Sequence, residues 1–185
     1  MPKVVDLTER RIELAAAAAR VIARSGLGGA TMREVSAEAG WTTGALTHYF
    51  ADKRELLRFT LEESLDLRRA RHEERGAMTP DDALRDTLVC ALPIDDSSRL
   101  HWIVTVAFCA QAAGDTDLAS IQRDAYRRFL GAVTSLVERT GRTDEPEQLI
   151  ALVDGIALQA LFDPESWPPD RQLAMVDAAL DGGRP

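Results

Sequence analysis

The sequence predicts an all-α fold, and three observations carry that expectation. Apolar residues recur at helical spacing along nearly the whole chain. Asp or Thr stands before several of these runs with Glu three residues on, while Gly or Pro stands after them. No credible segment alternates apolar and polar residues as a half-buried strand would. At 185 residues, 45% apolar and 28% charged, the chain can bury a sizeable core and is unlike a disordered polymer in composition.

The first helix is announced by Asp6-Leu7-Thr8-Glu9, an N-cap pattern, and Ile12, Ala16, Ala19 and Ile22 follow it at helical spacing until Ser25-Gly26 stops the run. Thr31-Met32-Arg33-Glu34 opens a second helix of about two turns, with Met32, Val35 and Ala39 inward and Gly40 at its end. After the short Gly40-Trp41-Thr42 connection comes "TTGALTHYF", whose apolar side is Leu46 and Phe50, bordered by Tyr49. Two short helices joined by a Gly-containing turn read as helix-turn-helix. Asp52 with Glu55 caps a fourth helix with Leu57, Leu61 and Leu65 inward, and its Arg68 to Arg75 tail reads as a solvated surface. Further helices are expected at about 80–91, 97–113, 118–140, 146–162 and 169–181, bounded by Pro93, Gly114, Gly141, Pro146, Pro164 and Pro168-Pro169. The stretch from Leu100 to Ala113 is apolar nearly all round, which predicts a helix through the centre of the second domain.

Charge is distributed unevenly. Residues 1–60 carry nine Lys and Arg against seven Asp and Glu, whereas the remainder carries 13 against 23, so a mildly basic module precedes an acidic body within a net charge of -8. The N-terminal residues turn charged before a secretory apolar core could form, and the longest apolar runs are interrupted by Arg20, His101 and Gln111, so neither a signal peptide nor a membrane span is expected. Cys90 and Cys109 lie in apolar helical stretches without metal-ligand neighbours and read as buried, reduced thiols, which fits a cytoplasmic protein. Catalytic signatures are missing. "HEER" at His72 lacks the second His of a zinc helix, "SGLGG" lacks the Lys of a phosphate loop, and no Ser sits in a nucleophile elbow. The expectation is a non-enzyme without metal or covalent cofactor.

If Leu46 and Phe50 hold the third helix to its core, the opposite side presents Thr43, Gly44, Thr47 and His48 to solvent. These sizes suit a DNA major groove: hydroxyls and an imidazole reach base edges or phosphates, and Gly44 lets the helix N-terminus approach the backbone. Lys53 and the first-turn amides after Asp52 would then meet phosphate.

The run "ATMREVSAEAGWTTGALTHYFADKREL", the order of elements and the all-helical acidic body resemble the TetR family of one-component transcriptional regulators. The specific match spans roughly residues 8–57. The resemblance implies an N-terminal three-helix DNA-binding domain (residues 1–51) with the helix-turn-helix, linked by helix 4 to a helical effector-binding and dimerisation domain (residues 52–185). It places Thr31 at the helix 2 cap, Arg33 where a helix 2 side chain reaches the groove, Thr42, Thr43, Thr47, His48 and Tyr49 along the recognition helix, and Lys53 at a phosphate-binding lysine. Two positions depart from the pattern: Thr47 stands where Tyr is frequent, and Trp41 replaces a smaller aliphatic residue, as a cover for the core.

One reading helix spans only a few base pairs, so the partners implied are double-stranded palindromic operator DNA and a second copy of the chain on a two-fold axis. By resemblance the last two helices form that homodimer, with Ala151 and Gly155 permitting close approach and Leu152, Ile156, Leu158, Leu173, Val176 and Leu180 supplying apolar area. A repressor of this kind responds to a small-molecule effector, and the polar or aromatic interruptions of the middle helices are the expected pocket lining: Phe59, His101, Trp102, Thr105, Phe108, Gln111, Tyr126 and Phe129. A small, largely apolar effector is expected. The tail "LVDGIALQALFDPESWPPDRQL" resembles the C-terminal half of the betaine-operon choline-responsive branch.

Overall fold

Most helices begin where a side chain can satisfy their first amides. The computed structural model describes residues 7–73 and 78–182, with the side chains of residues 65–73 excepted. Asp6, the side chain of Leu65 and the side chains of the Arg68 to Arg75 run, His72 included, lie outside what is described. Among the described residues the regular elements are helices: α1 (Leu7–Gly29), α2 (Met32–Glu38), α3 (Thr43–Leu46), α4 (Lys53–Glu73), α5 (Pro80–Val89), α6 (Asp96–Ala112), α7 (Thr116–Thr140), α8 (Pro146–Phe162) and α9 (Pro169–Gly182). Thr31 accepts from the Glu34 N–H at 3.2 Å, and Asp52 accepts from the Glu55 N–H at 2.8 Å while Glu55 reaches back to the Ala51 N–H at 2.8 Å. Asp52 and Glu55 thus form the predicted reciprocal box, whereas at α2 the Thr31 side is made and the Thr31 N–H goes to the Gly29 carbonyl at 2.8 Å. Asp95 and Ser98 exchange a reciprocal pair of such bonds at α6, and Asp115 accepts from the amides of Asp117 and Leu118 at α7.

The chain divides into two compact units. The first comprises residues 1–66 and Ile103–Ala119. Its core includes Leu14, Ala17, Ala18, Val21, Ile22, Val35, Leu46, Phe50, Leu56 and Leu61, with Phe108 fully buried. Gly26 takes φ 67° and breaks α1 near the predicted stop, a conformation that costs a Cβ-bearing residue steric strain. The buried face of α1 differs from the expected one: Ile12 and Ala16 are exposed, and Leu14, Ala17, Ala18 and Val21 point inward. A run of five alanines has no apolar contrast between its faces, so spacing alone could not set the rotation.

The second unit comprises residues 67–102 and 120–185. Leu84, Leu88 and Leu92 around α5, Val133 and Val137 of α7, Ile150, Val153 and Ile156 of α8, and Val176 and Leu180 of α9 form one continuous core. Arg85 on α5 forks onto Asp177 of α9 through bonds of 2.6 and 3.0 Å, and Arg99 donates to the carbonyls of Ala160 and Leu161 at the end of α8, where carbonyl oxygens lack helical partners. The buried Arg142 donates to Asp144 at 2.5 Å, to Asp81 at 3.5 Å and to the Leu180 carbonyl.

Two expectations are corrected. The α6 helix is not confined to the second unit, because its residues from Ile103 onward belong to the first; all-round apolarity permits packing on any side but does not choose the neighbours. Cys90, at the C-cap of α5, is half-buried, and Cys109 is exposed with Ala110 and Gln111 beside it on α6; both are free thiols. Among the described residues no helix is long and apolar enough to cross a membrane.

Candidate nucleic-acid interface

The α3 segment is short and is pinned from within. Gly40, with φ 72°, ends α2, and the Trp41 N–H returns to the Ser36 carbonyl at 2.8 Å. Thr42 is the N-cap of α3, its hydroxyl accepting from the Ala45 N–H at 3.1 Å. The Ser36 and Thr43 hydroxyls lie 3.1 Å apart and tie α2 to α3, while Ser36 also donates to the Arg33 carbonyl. The α3 helix closes after one regular turn, and tight backbone bonds carry the segment on to Phe50. Leu46 and Phe50 are both buried, which anchors the segment by its apolar side.

What remains outward is a polar row. Thr42, Thr43, Gly44, Thr47 and His48 are exposed and Tyr49 is half-exposed. No neighbour fills the space in front of Gly44. On the adjoining α2, Thr31 is exposed, and the Arg33 side chain is 85% exposed with one long 3.5 Å contact to Glu34. Lys53 is half-exposed: its ammonium donates to the carbonyls of Leu27 at 2.8 Å and Gly28 at 3.3 Å, which leaves a third N–H for an outside acceptor. Thr42 and Thr43 thus have internal bonds as well as outward surfaces, as does Thr47, whose hydroxyl donates to the Gly44 carbonyl at 2.8 Å. Sequence reasoning missed the capping role of Thr42, although a Thr directly before a helical turn is a recognisable cap signal.

Several other cations of this unit have internal partners. Arg20 and Arg24 both donate to Glu38, at 2.7 and 3.1 Å, and these bonds hold the Glu38 carboxyl below its ordinary pKa. Arg11 lies over the rings of Phe50 and Phe59, 4.5 and 4.6 Å from their centres, and donates to Glu55 at 3.0 Å. Arg54 pairs with Asp117 and, at 3.7 Å, with Asp115.

The expected effector lining is divided between the units. Phe59, Thr105, Phe108 and Gln111 belong to the first, whereas His101, Trp102, Tyr126 and Phe129 belong to the second. Phe108 is fully buried, Trp102 is buried with its indole N–H donated to the Ala91 carbonyl at 2.7 Å, and Phe129 packs on the second core. Phe59, His101 and Thr105 are half-buried, and Gln111 and Tyr126 are exposed. A cleft of about 340 Å³ lies elsewhere, lined by Asp81, Asp82, Arg85, Arg142, Asp177 and Asp181 together with Leu84 and Leu180. Of the expected dimer residues, Ala151 and Gly155 are exposed and Leu152, Leu158 and Leu173 half-exposed, whereas Ile156, Val176 and Leu180 are buried in the chain's own core. Phe162, at the end of α8, is 75% exposed and was not singled out from the sequence.

Comparison with known proteins bears on the whole chain. Residues 14–58 match the family model for bacterial regulatory proteins of the tetR family, and residues 80–184 match that for the C-terminal part of BetI-type transcriptional repressors. The HTH-type transcriptional regulator PksA of Bacillus subtilis (strain 168) is 31% identical over 180 residues, covering 92% of this chain and 88% of that protein. A transcriptional regulator of Rhodococcus sp. Rha1 has a solved structure with a TM-score of 0.79 and 33% identity, covering 92% of this chain and 94% of that one. The fold also matches a transcriptional regulator of Saccharomonospora viridis crystallised with choline, with a TM-score of 0.84 at 19% identity over 94% and 96% of the two chains.

Proposed function

This chain belongs to the TetR family of transcriptional regulators, and from that premise we propose how its residues perform ligand-responsive repression. Residues 1–51 form the DNA-binding domain and residues 52–185 the effector-binding and dimerisation domain. Two copies place their α3 segments in successive major grooves of a palindromic operator. The observation that carries this reading is the outward row of Thr42, Thr43, Gly44, Thr47 and His48 on a segment anchored from behind by Leu46 and Phe50. Arg33 reads a base edge from α2, Tyr49 and the third N–H of Lys53 meet phosphates, and Thr31 closes the site beside Arg33.

The dimer forms through α8 and α9. Ala151 and Gly155 allow close approach, Leu152, Leu158 and Leu173 add apolar area, and Phe162 extends the same surface; the buried Ile156, Val176 and Leu180 support it from within. The effector is a small molecule, and residues such as His101, Tyr126 and Phe129 belong to its lining. Choline, bound by the Saccharomonospora regulator, is the first compound to assay. By linkage, an inducer must bind the DNA-free dimer more tightly than the DNA complex. The protein acts in the cytoplasm, where operator and metabolite meet.

Selection from a random duplex library tests this function. Wild-type protein should enrich a palindrome whose half-sites lie about one helical turn, or a multiple of it, apart. Absence of any enriched sequence would overturn the reading, as would a monomer in sedimentation at micromolar concentration.

A further inference from the structure

A second feature of the first unit adjoins the α3 segment through the ring of Tyr49. Trp41 stands in the turn before α3, half-exposed, and its ring meets that of Tyr49 edge-on, with centres 5.4 Å apart and planes at 72°. Arg10, near the start of α1, lies over the Trp41 ring with its guanidinium carbon 5.5 Å from the centre. The three side chains form one contiguous cluster from α1 to the end of the α3 segment. A guanidinium stacked on an aromatic face is held in place yet keeps N–H donors at its edge.

We propose that Arg10, positioned by Trp41 and Tyr49, is a further contact to the DNA backbone, and that Glu13 occupies its guanidinium until a phosphate oxygen takes that place. Glu13 accepts from Arg10 at 2.6 Å, and this bond raises the Arg10 pKa. The pair is one helical turn apart, with side chains 33% and 53% exposed, so water screens it and it is readily exchanged. A phosphate presents oxygens that match the guanidinium fork. Neighbouring cations differ in their partners: Arg11 is paired with Glu55, and Arg20 and Arg24 share Glu38, and both of these carboxylates are more covered than Glu13. Trp41 acts here as a positioning residue and Arg10 as the contact.

The inference rests on the reading of the chain as a DNA-binding dimer, so its test separates the two. Fluorescence anisotropy would follow wild type, Arg10→Ala, Arg10→Lys, Trp41→Leu and Glu13→Gln on the selected palindrome and on a mixed-sequence duplex over a range of salt. A backbone contact is blind to sequence, so Arg10→Ala should weaken binding to both duplexes roughly tenfold and flatten the salt slope by about 1.8 per dimer, at about 0.9 per lost contact. Arg10→Lys should retain most of the slope, and Trp41→Leu should weaken binding by less than Arg10→Ala. Glu13→Gln should tighten binding about two- to fivefold, by removing the competing carboxylate. A role confined to packing would lower the melting temperature of Arg10→Ala and leave Glu13→Gln neutral or weaker. Unchanged slope in Arg10→Ala, or unchanged or weaker binding by Glu13→Gln, overturns the proposal while wild type still binds. Failure of wild type to bind either duplex would instead sink the DNA-binding reading itself.

Discussion

Three arginines of the second unit and two of the first differ in what they bond. In the second, Arg85 grips Asp177, Arg99 closes the end of α8, and Arg142 sits buried among Asp144, Asp81 and the Leu180 carbonyl. In the first, Arg33 projects into solvent from a helix whose Glu34 amide is capped by Thr31, and Arg10 meets the Trp41 ring and a screened carboxylate. A cation that bonds its own chain stabilises the fold and is lost to outside ligands. A cation left outward contributes little to the fold and is available to a polyanion. A net charge of -8 therefore says little about DNA binding until each cation is assigned a partner.

Breaking the internal set should cost stability, in proportion to burial. Arg142→Ala should lower unfolding free energy by about 3–5 kcal/mol, because it strands the nearly buried Asp144 carboxylate; chemical denaturation measures it. Lys53→Ala tests the residue that belongs to both sets. It should cost about 1 kcal/mol through its lost bonds to Leu27 and Gly28 and also flatten the DNA salt slope by about 0.9 per lost contact. A change in slope without a change in stability would assign Lys53 to DNA alone. Thr42→Ala should remove the α3 cap at about 1 kcal/mol, read by the same denaturation.

The smallest effect is the pH response of the Arg85–Asp177 pair. The hydrogen bond from Arg85 holds the Asp177 carboxyl below its ordinary range. Because the folded pKa is depressed, this contribution is present above the unfolded value of about 3.9 and is lost as pH falls through the lower folded value. Both side chains are more than two-fifths exposed, so the contribution stays under about 1 kcal/mol. Asp177→Asn should make stability less dependent on pH between about 5 and 3, and an unchanged acid limb would remove the pair from the ledger of the fold.

Much of the architecture was legible because it rests on local chemistry. Thr31 with Glu34, Asp52 with Glu55, and the stops at Gly26 and Gly40 are short-range patterns, and the structure realises them within about one residue. Features that depend on a distant partner were not legible. The alanine run could not reveal which face of α1 is buried, and the apolar surface of α6 could not show that the helix is shared between units. At the interface, residue type suggested Thr42 and Thr43 as reading residues, but their internal bonds to Ala45 and Ser36 required coordinates. The stack of Arg10 on Trp41 joins residues 31 positions apart, and no spacing rule reaches that far.

The central claim is that outward side chains of the first unit read DNA while internally bonded ones hold the fold. Binding of Arg33→Ala to a set of single-base operator variants, with its melting temperature recorded alongside, tests it most directly. The account predicts an unchanged melting temperature and a loss of about 1–3 kcal/mol confined to one symmetric pair of base positions, where preference relaxes. Wild-type affinity for every variant would contradict it.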